Sequence, residues 1–560
     1  MADTEILIGQ YLFRRLKELG IETIFGVPGD YELALLDLVE PEGLSWVGTP
    51  NELVGAYAAD GYARQKGAGA LVTTFGPGEL SALCGIGGAY CESVPVIHIA
   101  GYPTNPAQKS GKILHHTIGD GSYEHYVKMS AELSCATAVL KDPATAVYEI
   151  DRVLNAMLHH SKPAYLGISE DVAYTKVSPT YLDTKLIRTL PSGAQSSESR
   201  VVSEIIKSLE AAKAPILIVD GGASPYDWSH LADELIEALK IPVFCTVLGK
   251  GLVNEESPYY YGPYCGIGSY PNAIEAVSKA DVILWLGSYP SDFNTGMFTE
   301  HVESSLIIDF QRFHIKVGNT VHDARTHSVL PKLIEAAKSH TQFSQLKVDP
   351  VPPASMNMPE LIEQDWLWER LSTYLKPGDL VVSETGTSQV GIVTTPLPRG
   401  AHAWTQAVYG SIGYAAGAAI GGSIAAKETG KFRRLVLVTG EGSLQLTVQA
   451  FSILNRHGVV PVVFILNNAG YTVERYFCGM TAKYNDVPNW DYCALFRAFS
   501  PEVKTKSFKV GTATELDSLL NDTEFNSAMY PQCVEMLLGK EDCPSGLKTI
   551  FEAKAKGQKH

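Results

Sequence analysis

Three doubly wound α/β domains with mainly parallel sheets are the architecture the sequence predicts, and three observations predict it. The chain has 560 residues, too many for one hydrophobic core and enough for about three domains. Short apolar runs alternate with amphipathic helical patterns in three successive blocks, the pattern of parallel sheets buried on both faces. Two turn-rich stretches, 189–200 and 348–360, separate the blocks and read as linkers.

Taken in order, MADTEILIGQYLFRRLKELG lacks the basic start and apolar core of a signal peptide and reads as a first amphipathic helix. TIFGVPG leads into a helix at Tyr31–Val39, LSWVGT into NELVGAYAADGYAR, and ALVTTFG into ELSALCGIGGAYCE; PVIHIAG is a further buried strand. The middle block runs through APILIVDGG, IPVFCTV, DVILWLG and SSLIIDF. The last block contains GDLVVSETG, a Gly/Ala-rich helix, RRLVLVTGEGS and VVPVVFILNN. The Gly/Ala stretch 407–426 is uncharged for the length of a membrane span. It lacks Leu and Phe, however, and reads as a buried helix whose small residues let another backbone approach closely. In doubly wound sheets ligands sit beyond the carboxyl ends of the strands, where GVPGD, GTPNE, SETGTS, TGEGS and LNNAGY fall.

A formal net charge of −16 excludes a nucleic-acid partner, which needs a basic surface. Nine cysteines with no zinc spacing and no CxxC read as reduced thiols of a cytoplasmic protein. No membrane segment is expected.

Several residues carry chemistry. In TGEGS a strand ends at glycines and a helix begins, offering free N–H groups to an anion. A carboxylate beside a phosphate requires a cation between them, so Glu441 points to Mg²⁺ bridging a diphosphate, with Asn468 supplying a second hard oxygen. His115-His116 reads as a solvated loop pair, with metal binding a lesser option because no third ligand is evident nearby. Taken alone, Glu52 is a helix-start acid favoured by the dipole, and Ile412 a core isoleucine.

GEG, twenty-four residues, then NN is similar to the thiamine-diphosphate motif, usually a GDG turn followed by NN. FGVPGDYELALLD, TPNELVGAYAADGYAR, FGPGELSAL, KILHHTIGDG, SDFNTG, ETGTS, YGSIG and GEGSLQLTVQ…LNNAGYTVE resemble the thiamine-diphosphate-dependent 2-oxo acid decarboxylases, on the fungal pyruvate decarboxylase branch, along essentially the whole chain. The resemblance implies a pyrimidine-binding domain at 1–188, a middle domain at 189–347 and a diphosphate- and Mg²⁺-binding domain at 348–560. It also implies a homo-oligomer, a dimer or dimer of dimers, with sites between subunits.

The resemblance further assigns Glu52 to the aminopyrimidine ring of the cofactor and Ile412 to the apolar wedge that bends it. Thr387, Gly410, Gly440, Gly442, Ser443 and Asn468 would hold the cofactor. Glu441, Asn468 and the Gly470 carbonyl would hold Mg²⁺. Asp30, His115, His116 and Glu474 would divide the proton work, with Glu474 protonating the developing carbanion. Phe293, Gln389, Val473 and Phe477 would border the substrate. The implied reaction is non-oxidative decarboxylation of a 2-oxo acid, pyruvate to acetaldehyde first. The alternatives are branched or aromatic 2-oxo acids, carboligation to acyloins and, remotely, a non-catalytic cofactor-binding regulator.

The sequence also departs from the family pattern. Glu441 stands for the usual Asp, and Ala469 replaces a polar or acidic residue. Val473 and Phe477 replace two isoleucines, Gln389-Val390 replace Ala-Phe, and DGGAS lacks the cysteine that some yeast members carry for substrate activation.

Overall fold

The computed structural model describes residues 5–340, 342–351, 357–457 and 460–557. They form three α/β domains with mainly parallel sheets, distributed over two compact units. The first unit comprises 1–190, 416–430 and 447–457, and the second 191–415, 431–446 and 458–560.

The first unit holds a six-stranded, wholly parallel sheet. Its strands run in the order Ser45–Gly48, Thr23–Gly26, Gly69–Thr74, Val96–Tyr102, Ala164–Ser169, Thr137–Leu140. Gly69–Thr74 and Val96–Tyr102 are buried along their whole length, as central strands covered by helices on both faces must be. The helix expected at Tyr31–Val39 shrinks to the single turn Leu33–Leu36. By contrast, NELVGAYAADGYAR forms the full helix Glu52–Lys66. Asn51 caps it by accepting the Val54 N–H at 2.8 Å, and Gly67 ends it at φ 85°.

The Gly/Ala helix Tyr414–Thr429 contributes residues 416–429 to this unit. It crosses Glu52–Lys66 with backbones nearly in contact: a Cβ at Gly421 would lie 1.7 Å from the Ala58 carbonyl oxygen. Its end is tied down by Glu428, which accepts hydrogen bonds from Tyr62 Oη at 2.5 Å and Thr23 Oγ1 at 2.6 Å. No helix among the described residues is long and apolar enough to cross a membrane.

The second unit contains two sheets. Five parallel strands, ordered Tyr260–Pro263, Val243–Cys245, Pro215–Val219, Val282–Leu286 and Ile307–Phe310, continue into the antiparallel pair Ile315–Val317 and Thr320–His322. The other sheet is wholly parallel, ordered His402–Thr405, Asp379–Ser383, Arg434–Gly440, Pro461–Asn467, Gln532–Leu537, Lys506–Val510. Buried Lys250 joins the two parts of the unit, donating to Glu255 at 2.8 Å and to the Thr395 carbonyl at 2.6 Å.

The stretch 189–200, read as linker, already enters the helix Gln195–Ala211. Glu198 is drawn into the interior there by Lys332 at 2.5 Å and the Gly193 N–H at 2.8 Å. Of the proline-rich stretch 348–360, residues 352–356 lie outside the described residues.

The first sheet and the last have the same strand order: the second strand in sequence at one edge, then the first, third, fourth, sixth and fifth. Each therefore has its crossover between its first and third strands, where an α/β sheet opens a crevice for ligands.

Candidate functional site

At the crossover of the last sheet, strand Asp379–Ser383 runs into Glu384-Thr385-Gly386-Thr387 and strand Arg434–Gly440 into Glu441-Gly442-Ser443. A cleft of 300 Å³ opens there. It collects every residue that the sequence assigned to this end of the chain: Thr387, Gly410, Ile412, the 440–443 turn, Asn468, Gly470, Val473, Glu474 and Phe477, with Gln389 and Phe293 at its border. Ile412 is half-buried in the cleft wall rather than a core residue. Its loop is pinned by Ser411, which donates to Gln406 Oε1 through N at 2.9 Å and Oγ at 2.7 Å.

Glu441 is 1% exposed, and burial pushes its carboxyl pKa up, opposed by backbone N–H donors. Its longer side chain reaches across the turn to accept the Gly470 N–H at 2.6 Å. With the Asn468 amide oxygen turned inward, that oxygen stands 3.2 Å from Glu441 Oε2 and 2.8 Å from the Gly470 carbonyl, with no proton between them. An amide oxygen facing two acceptors is unfavourable unless a cation enters or the amide turns over, when its N–H groups donate to both and its oxygen accepts from Thr472 Oγ1 at 2.7 Å. Oxygens held at ~2.1 Å around a small octahedral dication are about 3.0 Å apart along an edge, so the spacing fits such an ion.

Two hydroxyls complete the cradle. Thr387, the first residue of the helix Thr387–Thr394, is buried, as is Ser443, and neither hydroxyl has a hydrogen-bond partner among the described residues. Gly442 is required for space, since a Cβ there would lie 2.8 Å from the Tyr471 ring. Helix-start N–H groups and two free hydroxyls suit a diphosphate.

The loop carrying Asn468 and Gly470 is held by groups the sequence did not disclose. Ala469 has φ 56° and Gly470 φ 135°, conformations that need support. Buried Arg475 supplies it, donating to the Ala469 carbonyl at 2.6 Å and the Lys540 carbonyl at 2.9 Å, and pairing with Asp486 at 3.0 Å. Of the two asparagines, Asn467 is scaffold, its amide held by Asn489 and Glu535 at 2.9 and 2.8 Å. Glu384 is fully buried, its pKa pushed up to about 7 by burial, and it accepts the Thr385 and Ala415 N–H groups at 3.0 and 3.2 Å. The signal was present in ETGTS, where an acid directly follows a fully buried strand.

The first unit carries the other group, again at its crossover. His115 Nε2 lies 2.8 Å from Asp30 Oδ2, and His116 Nε2 4.0 Å from Asp30 Oδ1. The third ligand not evident in sequence is thus Asp30, and the three side chains bring their ligand atoms within 4.8 Å of one another. Tyr31, which sequence reasoning missed, stacks on His115 with its hydroxyl 3.0 Å from Nδ1. An ionised Asp30 can only accept, so neutral His115 carries its proton on Nε2 and accepts from Tyr31 on Nδ1. His116 sits at φ 72°, its carbonyl held by Tyr126 Oη at 2.7 Å. Partial burial, then the neighbouring His115, lower its pKa against the opposing pull of Asp30. Asp30 and His115 are exposed.

Beneath them Glu32 is 1% exposed; it accepts the Gly29 N–H at 2.5 Å through Oε1, while Oε2 has no partner in the described structure. Burial pushes its pKa up to about 8. Glu52 stands half-buried at the start of its helix, its pKa also raised by burial, and a Cβ at Gly78 would lie 3.3 Å from its Oε1. Glu474 belongs to the second unit, exposed on the short helix Thr472–Phe477.

Comparison with known proteins agrees along the chain. The thiamine pyrophosphate enzyme N-terminal TPP-binding domain matches residues 7–123, the central domain 202–334 and the C-terminal TPP-binding domain 384–527. The chain is 41% identical over 551 residues to a pyruvate decarboxylase of Candida glabrata, covering 97% of each protein. It is 40% identical over 561 residues to one of Aspergillus fumigatus, covering 99% of this chain and 97% of that protein. It is also 40% identical over 552 residues to pyruvate decarboxylase isozyme 1 of Saccharomyces cerevisiae, covering 97% of each. With matches to all three domains in order, and a buried oxygen set at the crossover where a diphosphate belongs, the chain is a member of the thiamine pyrophosphate enzyme family.

Proposed function

We propose that the protein catalyses non-oxidative decarboxylation of a 2-oxo acid to an aldehyde and CO₂, with pyruvate to acetaldehyde as its reference reaction. The observation that carries the reading is the pairing of two chemistries. The Asn468 amide faces both the Glu441 carboxylate and the Gly470 carbonyl in the cleft, and Asp30 lies 2.8 Å from His115 and 4.0 Å from His116.

When bound, thiamine diphosphate supplies the electron sink that the breaking bond to the carboxylate requires. Glu441, Asn468 and the Gly470 carbonyl would hold Mg²⁺. Thr387 and Ser443 would donate their free hydroxyls to the diphosphate, with Gly410, Gly440 and Gly442 giving the backbone room. Ile412 would form a stiff apolar wall against the cofactor. Glu52, with its raised pKa, would share a proton with the aminopyrimidine ring. Glu474 would deliver the proton that replaces the lost carboxylate. His115 would exchange its Nε2 proton with Asp30, while Tyr31 fixes the ring. Phe293, Val473 and Phe477 would border the substrate.

On this reading 1–188 is the pyrimidine-binding domain, 189–347 the middle domain and 348–560 the diphosphate-binding domain. The protein would work as a homodimer or dimer of dimers with shared sites. Nine free thiols support a reducing, cytoplasmic location.

The test is incubation with thiamine diphosphate, Mg²⁺ and a panel of 2-oxo acids, with and without added aldehydes, with products identified by mass. Free aldehyde and CO₂ are expected. Acyloins as the main products would make it a carboligase, and absence of CO₂ from every acid would overturn the reading.

A further inference from the structure

The short helix Tyr492–Ala498 packs on the two outer strands of the last sheet, Gln532–Leu537 and Lys506–Val510. Its first two residues face in different directions. Tyr492 is fully buried and turned toward the cofactor cleft: its hydroxyl accepts from Gln445 Nε2 at 2.9 Å and donates to the Glu441 carbonyl at 3.4 Å. The same Gln445 amide donates to the Pro488 carbonyl at 2.6 Å, and Asn489 accepts from Asn467 at 2.9 Å. Segment 488–492 thus buttresses both the turn that carries Glu441 and the strand end that carries Asn467 and Asn468.

Cys493 turns toward the sheet. Its Sγ lies 3.4 Å from the Phe508 carbonyl and 4.0 Å from Glu535 Oε2, and its own carbonyl accepts from Ser507 Oγ at 3.3 Å. Ser507 stands opposite Cys533 in the parallel pair, and Cys533 shares its strand face with Glu535. That register brings the Cys533 thiol against Cys493, to which it is hydrogen-bonded. Cys493 is partly exposed, whereas Cys533 is fully buried. The hydrogen bond from Cys533 lowers the Cys493 pKa, against burial and the nearby carboxylates Glu535 and Asp491. Glu535 is itself engaged by Asn467 at 2.8 Å and Lys509 at 3.0 Å. An accessible thiol of lowered pKa beside a buried partner is the arrangement of an attacking and a resolving cysteine.

We infer that Cys493 and Cys533 form a peroxide-reactive dithiol that closes to a disulfide and, through Tyr492, loosens the turn carrying Glu441. The inference goes beyond the decarboxylase reading, because its chemistry needs neither cofactor nor oxo acid. The Cys493 thiolate attacks a hydroperoxide; a sulfur–oxygen bond forms, the O–O bond breaks, and the leaving oxygen takes a proton. The Cys533 thiol then attacks the resulting sulfenic acid. The S–S bond forms, the S–O bond breaks, and water leaves with the proton that Cys533 gives up. Two thiols and one hydrogen peroxide become one disulfide and two waters, with two electrons passing from sulfur to oxygen. A covalent bond holds the sulfurs closer than a hydrogen bond does, so closure draws the first turn of this short helix toward the sheet. The long Tyr492 contact to the Glu441 carbonyl is the link that gives way.

The test treats the full chain, without cofactor, with hydrogen peroxide or with dithiothreitol. Remaining thiols are blocked with N-ethylmaleimide in denaturant, and the peptides of a digest made without reductant are identified by mass. Peroxide is expected to yield a peptide cross-linked between Cys493 and Cys533, which dithiothreitol abolishes. Amide hydrogen exchange of residues 441–446 should be about tenfold faster in the cross-linked protein, as a locally opened segment exchanges. Cys493→Ser should remove both responses. Cys533→Ser should instead stop at a sulfenic acid on Cys493 that dimedone traps; if that buried substitution prevents folding, the wild-type cross-link and exchange decide the matter. Two fully blocked cysteines after peroxide, a cross-link with unchanged exchange at 441–446, or faster exchange persisting in Cys493→Ser overturns the inference. The decarboxylase reading is decided by CO₂ release alone, so the two stand or fall separately.

Discussion

The first sheet and the last share one strand order, yet their crossovers hold opposite kinds of site. In the last sheet the candidate oxygens are buried and held in place, Glu441 by the Gly470 N–H and the 468–470 loop by the Arg475 side chain. In the first sheet Asp30 and His115 are exposed and bonded mainly to one another and to Tyr31. On the proposed reading a hard cation would demand preset ligand positions, whereas proton exchange would demand contact with water. One topology thus supplies the place, and the residues set just after the strands decide the chemistry. A likeness persists underneath, since each first strand is followed by a buried carboxyl with a raised pKa, Glu32 in one sheet and Glu384 in the other.

The largest expected effect that tests this division is at Glu52. Glu52→Ala should lower turnover on the order of a thousandfold, within the range for a lost proton-transfer partner, while the thermal midpoint moves little because Asn51 still caps the helix. Near-normal turnover would remove the first sheet from catalysis. Next, Glu474→Gln should slow turnover about a hundredfold without weakening the thermal shift caused by thiamine diphosphate and Mg²⁺; loss of that shift would make Glu474 a binding residue instead.

A smaller change is expected from Asn468→Leu. It should weaken Mg²⁺ by about tenfold or more, as loss of a ligand oxygen implies, read as a rightward move of the Mg²⁺ dependence of that thermal shift. An unmoved curve would take the cation away from the last sheet.

The smallest effect concerns Glu32. Its pKa is raised on folding from 4.5 to about 8, so its stabilisation is full below pH 4.5 and is lost as pH rises through 8. Glu32→Gln should flatten the fall of the thermal midpoint between pH 5 and 8, and an identical pH profile would mean that Glu32 does not titrate there.

The last sheet's site was far more legible in sequence than the first's. Glu441 and Asn468 end adjacent parallel strands, so a turn, a helix and a strand of ordinary length bring them together, and local spacing reports the distance. Asp30 and His115 meet only because the chain returns across the sheet after long separation, and no local period records that meeting. Arg475 was hidden for another reason: a buried arginine that binds carbonyls looks in sequence like any surface cation. The acid at 441 became intelligible only with the Gly470 N–H in view, since its carboxylate accepts from that donor.

The Gly/Ala helix has a consequence for how the molecule is made. Its residues 416–430, and the segment 447–457, belong to the unit that begins at the N-terminus. At ~5–20 residues per second of synthesis, the ribosome delivers these last pieces tens of seconds after residue 190. Until then the small-residue groove along Ala58 and Gly61 lacks the helix that fills it. Helix Glu52–Lys66 must therefore wait, its small-residue face uncovered, for a distant part of the same message to be read.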